Sequence, residues 1–247
     1  MRKALVVLET VADMQPVGVA EVSRALGLPK SSVQRSLLTL KDAGWIRPVG
    51  SEVTRWEITS KALQVGQYFR GADDLRQVAL PIMNEVRAET DETVHLMVPD
   101  GQAMVLVERL MTHRPIRVDI PVGRSIPMHT VSNGKAYLAL LDETAVESYI
   151  AHGLDRSTTH TITDPETLRA ELKAIRARGY AVNHGEWRSD VRAVASAIEG
   201  GTGGPVGSIS ISTPPDRMRA AEERRYAALV VDAARRIGAS LTGPARR

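Results

Sequence analysis

Residues 26–40 read LGLPKSSVQRSLLTL. Gly27 is a typical helix stop and Pro29 a typical opening residue of the next helix, so the segment predicts a tight turn between two helices. The second helix, over residues 30–43, has one apolar face whose members are spaced at i, i+4 and i+7: Val33, Leu37 and Leu40. This face can pack, while the opposite polar face stays free.

Further predicted elements surround this turn. Helical spacing of apolar residues over 19–26 gives the first helix of the pair, and the same spacing over 3–12 predicts another helix before it. After the pair, Trp45-Ile46 and Arg55-Trp56-Glu57-Ile58 predict a small β-hairpin around the turn Pro48-Val49-Gly50-Ser51. Helices and a hairpin in this order are typical of a winged helix-turn-helix domain.

The start of the second helix is rich in side chains that suit DNA. Gln and Arg can read base edges in the major groove, while serine hydroxyls and backbone N–H groups at a helix start can contact phosphates. No acidic residue lies between Glu21 and Asp42, and residues 1–70 hold ten basic against six acidic side chains. The predicted DNA-contacting residues are Lys30, Ser31, Ser32, Gln34 and Arg35, with Arg47 and Arg55 on the hairpin.

The alternative is a protein-docking or purely structural helical module whose polar face is only solvated. The lack of acidic residues on that face favours double-stranded DNA as the partner. A ligand-sensing protein that does not bind DNA would have no need for an exposed Gln34 and Arg35.

Composition narrows the function classes further. The 247 residues are 43% hydrophobic and 25% charged, with a formal net charge of +3, which is typical of one large or two ordinary globular domains. The absence of cysteine excludes disulfides, zinc fingers, iron–sulfur clusters and thiol nucleophiles. No apolar run of ~18 residues and no secretory-signal pattern is present, so we expect a cytoplasmic protein with no membrane contact and no cofactor.

The rest of the chain predicts a second, mixed domain. Residues 60–70 and 74–90 have helical spacing and lead into it, with residues 61–76 as the linker. Period-two alternation then predicts a hairpin of two strands, residues 94–98 and 104–110, around a Pro-Asp-Gly turn.

Later elements complete this domain. The sequence predicts helices and strands as follows: helices at 133–141, 166–178 and 216–239, and strands at 193–198 and 206–211 around the glycine-rich residues 200–204. Thr163-Asp164-Pro165-Glu166 is a Thr-x-x-Glu capping box before the helix at 166–178, which Gly179 ends. The predicted fold class is α+β, with domains at residues 1–60 and 77–247.

Six separated motifs resemble one protein family. LGLPKSSVQRSLLTL looks like the recognition-helix signature of the IclR family of bacterial transcription regulators. Five later blocks resemble that family's effector domain in the same order: Glu92–Leu96 (ETVHL), Val122–His129 (VGRSIPMH), Gly134–Ala136 (GKA), Thr161–Asp164 (TITD) and Ile175–Val182 (IRARGYAV). The resemblance covers nearly the whole chain.

This resemblance implies a homodimer or a dimer of dimers that binds operator DNA, and whose binding changes when a small organic molecule enters a GAF-like C-terminal α/β domain. It implies no enzymatic activity and no metal. The family's effector-contacting positions fall on Ser132, Asn133, Asn183, Ala193, Ser210 and Ser212.

Three of these positions depart from the family pattern, one of them Asn133, which differs from the commonest residue there. Asn183 stands where aspartate is usual, and Ala193 stands at a position that is often cysteine. Because a neutral amide offers donors where a carboxylate offers only acceptors, we expect an effector that bears a carboxylate.

The residues alone leave alternatives open at this site. Ser208, Ser210 and Ser212 alternate with isoleucines and so share one side of a strand, which suits either a polar ligand or a solvent-facing sheet edge. A small-molecule hydrolase is disfavoured because no Gly-x-Ser-x-Gly elbow occurs. His184-Gly185-Glu186 could supply two metal ligands, although a surface pair is the simpler interpretation.

Overall fold

The computed structural model describes residues 1–50, 53–66, 73–201 and 203–242, and it divides into two compact units, Met1–Arg70 and Gly71–Arg247. Its helices are α1 (Arg2–Met14), α2 (Val19–Leu26), α3 (Lys30–Asp42), α4 (Lys61–Gly66), α5 (Asp73–Thr90), α6 (Ser132–Ala139), α7 (Glu143–Ala151), α8 (Pro165–Arg178) and α9 (Ala220–Thr242). Its strands are β1 (Ile46–Val49), β2 (Arg55–Ile58), β3 (Thr93–Asp100), β4 (Ala103–Leu110), β5 (Ser125–Pro127), β6 (Ala181–His184), β7 (Arg192–Glu199) and β8 (Pro205–Thr213). Among the described helices, none has the length and apolar character needed to cross a membrane.

The first unit is the predicted winged helix-turn-helix. Gly27 ends α2 in the left-handed conformation, with φ of 63°, which glycine adopts without steric penalty. This turn lets α2 and α3 cross over one apolar core, which α1 and the β1–β2 hairpin also enclose. The core consists of Val7, Val11, Val17, Val22, Val33, Leu37, Leu40, Ile46 and Trp56.

The predicted hairpin turn at Pro48-Val49 is wrong, because β1 continues through both residues. Pro48 lies opposite Trp56, whose N–H and C=O bond to the backbone of Val17 rather than to β1. The missing N–H of Pro48 therefore leaves no partner unsatisfied, as expected for proline on an edge strand. Ser51, the last residue of the predicted turn, lies outside the described residues.

The second unit is built on a six-stranded antiparallel sheet with the order β5-β4-β3-β8-β7-β6. Helices α5 and α9 pack on one face of the sheet, against side chains such as Val94 and Ile209. Helices α6, α7 and α8 belong to the core of the other face, with Met97 and Ala195. The α+β prediction is confirmed, with a buried sheet between two helical layers.

The serine row of β8 is buried. β8 lies in the interior of the sheet between β3 and β7, and Ser208, Ser210 and Ser212 are at most 4% exposed. Because Ile209 and Ile211 occupy the α5–α9 face, the serines face α6. The solvent-facing edge considered from the sequence is therefore wrong.

Several boundaries differ from the predictions. Asp164 rather than Thr163 caps α8, accepting a hydrogen bond of 2.8 Å from the Thr167 N–H, because Pro165 takes the first helical position. The final helix begins at Ala220, after a short 3₁₀ turn at Pro215–Arg217. The sequence did not predict α7, β5, β6 or the 3₁₀ turn at Met128–Thr130 that precedes α6.

The predicted linker is only partly described. α4 ends at Gly66, and residues 67–70 of the predicted helix at 60–70 lie outside the described part of the chain. α5 buries Leu75 and Ala79 in the core of the second unit. α5, which starts within the predicted linker 61–76, thus belongs to the second unit. Residue 202, in the predicted glycine-rich turn at 200–204, also lies outside the described residues.

Gly134 permits the close approach of α6 to the preceding 3₁₀ turn. A Cβ at Gly134 would overlap the carbonyl and Cα of Met128. We expect Gly134→Ala to lower the free energy of unfolding by an amount near the upper end of the ~1–3 kcal/mol seen for overpacking, measured by urea denaturation. Gly204→Ala, where a Cβ meets nothing within 4 Å, is the control and should stay within ~0.5 kcal/mol. Equal stability of the two variants would contradict this packing.

Candidate DNA-recognition surface and effector pocket

The recognition surface is the exposed side of α3. Val33, Leu37 and Leu40 are buried, whereas Gln34 and Arg35 are exposed on the opposite side. Lys30 and Ser31 are also exposed and Ser32 is half-buried, so all five predicted α3 residues lie at the N-terminal end of the helix. The helix begins without a side-chain cap, which leaves its first backbone N–H groups for an external acceptor.

The hairpin arginines have partners within the protein. Arg47 donates to Glu57 at 2.6 Å, and its side chain is 66% exposed. Arg55 donates to the Pro16 carbonyl at 2.9 Å and to both carboxylate oxygens of Glu21. The positive charge expected at the hairpin is thus largely balanced, most completely at Arg55.

Arg55 also helps to hold the start of α2. The Glu21 carboxylate accepts the Gly18 N–H at 2.8 Å as well as the Arg55 guanidinium. The Gly18 bond, followed by the Arg55 bond, lowers the pKa of the Glu21 carboxyl. In contrast, Lys30 and Arg35 are in no ion pair within the described residues, so they are the cations that the N-terminal end of α3 can offer to phosphate or base.

The second candidate site is a small buried cavity of about 20 Å³ between the sheet and α6. Its lining residues are His95, Met97, Ile120, Ile126, Val131, Ser132, Asn133, Asn183, Trp187, Val191, Ala193 and Ser212. Five of the six predicted effector residues line it. The sixth, Ser210, is fully buried on the same strand face and lies opposite His95 in the β3–β8 register.

Strand register explains why residues so distant in sequence meet here. Asn183 on β6 pairs with Ala193 on β7, and Ala193 pairs with Ser212 on β8. Thr93 on β3 also pairs with Ser212, so β3 lies beside β8. Side chains on the same face of β3, such as His95, therefore reach the cavity. With Ile126 of β5, five strands and the first turn of α6 contribute side chains to one site.

Unpaired buried polar atoms concentrate at this cavity. Among the described residues, four buried side-chain polar atoms have no hydrogen-bond partner, and three of them are His95 Nε2, Ser132 Oγ and Ser210 Oγ. The fourth, Trp56 Nε1, is in the first unit. Since a buried unpaired polar atom costs about 1–3 kcal/mol, three around one cavity indicate a site for a polar ligand.

Asn183 has a structural role that the sequence did not reveal. Its Nδ2 donates to the Thr130 carbonyl at 2.6 Å and to Glu186 Oε2 at 3.3 Å. Its Oδ1 accepts the backbone N–H groups of Gly185 and Glu186. Both amide hydrogens are thus engaged within the protein, so the expected direct donation from Asn183 to an effector needs revision.

Behind Asn183 lies a buried ion pair. Lys135 Nζ contacts Glu186 Oε1 at 2.7 Å and Oε2 at 2.6 Å, with the lysine side chain only 1% exposed. Burial raises the pKa of the Glu186 carboxyl, and the charge of Lys135 opposes that shift. Lys135 therefore compensates a buried carboxylate on the far side of Asn183.

The other sequence motifs have local partners. His129 bonds through Nδ1 to the Tyr149 hydroxyl at 2.6 Å and through Nε2 to the Asp155 carbonyl at 3.0 Å. His184 is half-exposed and contacts Glu223 at 2.8 Å. Since Glu186 instead faces Lys135, the side chains of His184-Gly185-Glu186 do not form one site.

His95 and Trp187 are two of the seven lining residues that the sequence interpretation did not assign to the site. The available signal for His95 was its position between Val94 and Leu96 in an alternating strand, which places it on the face opposite those apolar side chains. Trp187 lies in a loop, where no periodicity marks it.

Comparison with known proteins identifies the fold. The model "Bacterial transcriptional regulator IclR C-terminal" matches residues 69–239, and the model "IclR helix-turn-helix domain" matches residues 2–50. The chain belongs to the IclR family. Like its curated relatives, it is a DNA-binding transcriptional regulator. Those relatives are regulators rather than enzymes.

Individual IclR-family relatives match along almost the entire chain. It is 31% identical to "Transcriptional repressor IclR" of Escherichia coli (strain K12) over 242 residues, covering 96% of this chain and 88% of that protein. It is 30% identical to "Acetate operon repressor" of Salmonella typhimurium, with the same coverages.

Solved IclR-type structures share the fold. The Thermotoga maritima IclR structure has a TM-score of 0.78 at 24% identity, covering 98% of both chains. A transcriptional regulator from Rhodococcus sp. RHA1 has a TM-score of 0.79 at 26% identity, covering 96% of both. An IclR homolog from Microbacterium hydrocarbonoxydans, complexed with 4-hydroxybenzoate, has a TM-score of 0.77 at 24% identity, covering 96% of this chain and 97% of that one.

The Lys135–Glu186 pair gives a pH-dependent prediction. In Lys135→Met the Glu186 carboxylate stays buried without its cation, so the free energy of unfolding should fall by about 3–5 kcal/mol at pH 8. Because the folded-state pKa of Glu186 is raised, its protonated form is favoured on folding, and the loss should shrink as the pH falls towards 5. Urea denaturation at both pH values measures this.

Arg235→Met serves as the control, since Arg235 is 73% exposed in its pair with Asp232 and should contribute only ~0–1 kcal/mol. Adding Glu186→Gln to Lys135→Met should restore part of the loss at pH 8. A loss that is equal at the two pH values would show that the deleted charge is not what matters.

Proposed function

We propose that this protein regulates transcription by binding an operator as a homodimer or a dimer of dimers, and that a small organic acid in the cavity at α6 changes its affinity for DNA. The observation that carries the DNA-binding part is the exposed N-terminal end of α3, with Lys30, Gln34 and Arg35 and no acidic residue. In a dimer, two such helices read half-sites whose centres are roughly 34 Å or a multiple apart.

The effector class follows from the chemistry of the cavity. Two unpaired hydroxyls and an imidazole nitrogen line or adjoin it, and these groups suit the oxygen atoms of a small polar ligand. The 4-hydroxybenzoate bound by the Microbacterium homolog is a carboxylic acid of this kind. We take a carboxylate as the effector's defining group.

Regulation needs two arrangements of the protein that the effector binds unequally. A cavity of about 20 Å³ has room for little more than one water molecule, so a larger effector must displace part of the wall when it binds. Ile120 belongs to that wall and comes from the segment between β4 and β5 that has no regular secondary structure. This coupling between wall movement and operator affinity is the proposed regulatory step.

The second candidate function is ligand sensing without DNA binding, and the α3 surface discriminates between the two. A mobility shift at stated salt, using DNA upstream of the protein's own gene and excess random competitor, tests for specific binding. If neither this DNA nor selection from random sequences yields a specific site, the DNA-binding function is rejected.

Arg35→Ala tests the α3 surface directly. If Arg35 contacts a base, the variant should lose ~1–3 kcal/mol of operator binding, about 5- to 150-fold, with a smaller loss on random DNA. Competition mobility shifts on both DNAs measure the two losses. Equal losses on operator and random DNA would make Arg35 a phosphate contact instead.

Lys41→Ala is the matched control, because it removes one exposed positive charge from the C-terminal end of the same helix. It should change operator affinity less than Arg35→Ala. A loss as large as that of Arg35→Ala would mean that general charge, rather than the N-terminal end of α3, determines binding.

Asn183→Asp tests the carboxylate effector. The variant loses the donors to Thr130 and Glu186 and places a carboxylate against Glu186, so the cavity becomes less tolerant of an anion. We expect 4-hydroxybenzoate to bind at least ~10-fold more weakly, about 1.4 kcal/mol, by calorimetry. Asn84→Asp, an exposed position on α5, makes the same charge change as a control. Unchanged affinity in Asn183→Asp would reject anion recognition here.

A further inference from the structure

His95 is the most unusual polar side chain at the cavity. It projects from the middle of β3, is 2% exposed and lines the cavity directly. Its Nδ1 lies 3.1 Å from Ser212 Oγ, while its Nε2 is buried and has no hydrogen-bond partner in the described part of the chain. An imidazole is thus oriented by one nitrogen and available through the other.

A comparison within the protein shows that this arrangement is specific. His129 is also buried and lies in the same unit, yet both of its nitrogens are bonded, to Tyr149 and Asp155. A histidine that serves only packing would be expected to satisfy both nitrogens in this way. The open Nε2 of His95 therefore points to a function at the cavity.

The cavity lining has no other group that can carry charge. The eleven lining residues other than His95 have aliphatic, hydroxyl, amide, thioether or indole side chains. The charged groups nearby are already paired: Arg109, opposite His95 on β4, contacts Asp119, and Lys135 contacts Glu186. Among the described residues that line the cavity, His95 is therefore the one that can supply a compensating charge to an entering anion.

In the protein as described, His95 is neutral at pH 7. Burial, followed by the positive charge of Arg109, lowers the pKa of His95 to about 4, although the negative charge of Asp119 opposes the shift. A carboxylate placed beside Nε2 acts in the opposite direction, since a neighbouring negative charge favours the imidazolium.

We propose that His95 recognises the carboxylate of the effector and takes up one proton from solvent as the effector binds. In the complex, Nε2–H donates to a carboxylate oxygen and Nδ1–H donates to Ser212 Oγ. This assignment rests on the proposed effector function of the cavity and adds the residue that selects an acid over its neutral analogue.

The proton linkage has a definite sign. Between the pKa of free His95, about 4, and its higher pKa in the complex, the complex holds one proton more than the free protein and the free anion together. The association constant for the anion should therefore fall with rising pH, by up to tenfold per pH unit, within that window. Above the pKa of the complex it should become independent of pH.

Calorimetry on the full chain measures both quantities. Acetate, benzoate and 4-hydroxybenzoate are titrated at pH 6.5 up to 10 mM, in two buffers of different ionisation enthalpy, and the difference in apparent enthalpy counts the protons. We expect uptake approaching one proton per site for the acid that binds. The matching carboxamide should bind at least tenfold more weakly.

Variants separate recognition from folding. His95→Gln keeps an N–H donor but does not titrate, so it should retain measurable binding while proton uptake disappears. His95→Phe should lose at least tenfold in affinity, and thermal melting checks that it folds. His160→Gln, which removes an exposed histidine from the same unit, should match the unchanged protein in affinity and proton uptake.

Three results would overturn the proposal: binding of an acid without proton uptake, unchanged affinity in His95→Phe, or no binding of any of the three acids at 10 mM. Failure of the proposed regulator function would give a different result. The protein would then show no specific operator shift but would still bind an acid with proton uptake. Uptake that is lost in His95→Gln but kept in His160→Gln supports the assignment.

Discussion

The strict alternation of side chains along β8 is the constraint on which the second unit depends. Isoleucines at 209 and 211 enter the apolar layer with α5 and α9, while the intervening serines face α6. A slip of one residue in register would place three hydroxyls in the α5–α9 core and isoleucines in the cavity. Because β8 pairs with β3 and β7 over most of its length, this register also determines which residues of those strands reach the cavity.

The approach of α6 to this face depends on two neighbouring residues. Asn133 donates to the carbonyl and hydroxyl of Ser208, which joins the first turn of α6 to β8. Gly134 then brings the helix close to the backbone of Met128. With α6 held there, Lys135 extends away from the cavity towards Glu186, so its charge stabilises the wall without entering the site. A short Asn-Gly-Lys sequence thus serves three different contacts.

Much of this arrangement could be predicted from the sequence because strong local signals coincide. Gly27 and Pro29 define the helix-turn-helix, and five of the six residues transferred from the family pattern line one cavity. What could not be predicted depends on long-range pairing. β6 is four residues long and forms only against β7, and Pro48 joins β1 only because Trp56 bonds to Val17 instead. No local sequence pattern indicates which distant strand or backbone group will be the hydrogen-bonding partner.

The same limit applies to the roles of single polar residues. Asn183 lines the cavity, but the sequence could not show that Glu186 and Thr130 engage both of its amide hydrogens. Arg55 was correctly seen as a hairpin cation, yet Glu21, 34 positions earlier, balances its charge. Conversely, His95 lies within the family-like block Glu92–Leu96, but that block assigns it no role at the site, and the residue becomes significant only when its second nitrogen is found without a partner. The composition of a site is therefore easier to read from sequence than the direction in which each donor points, and it is this direction that determines what a ligand can bind.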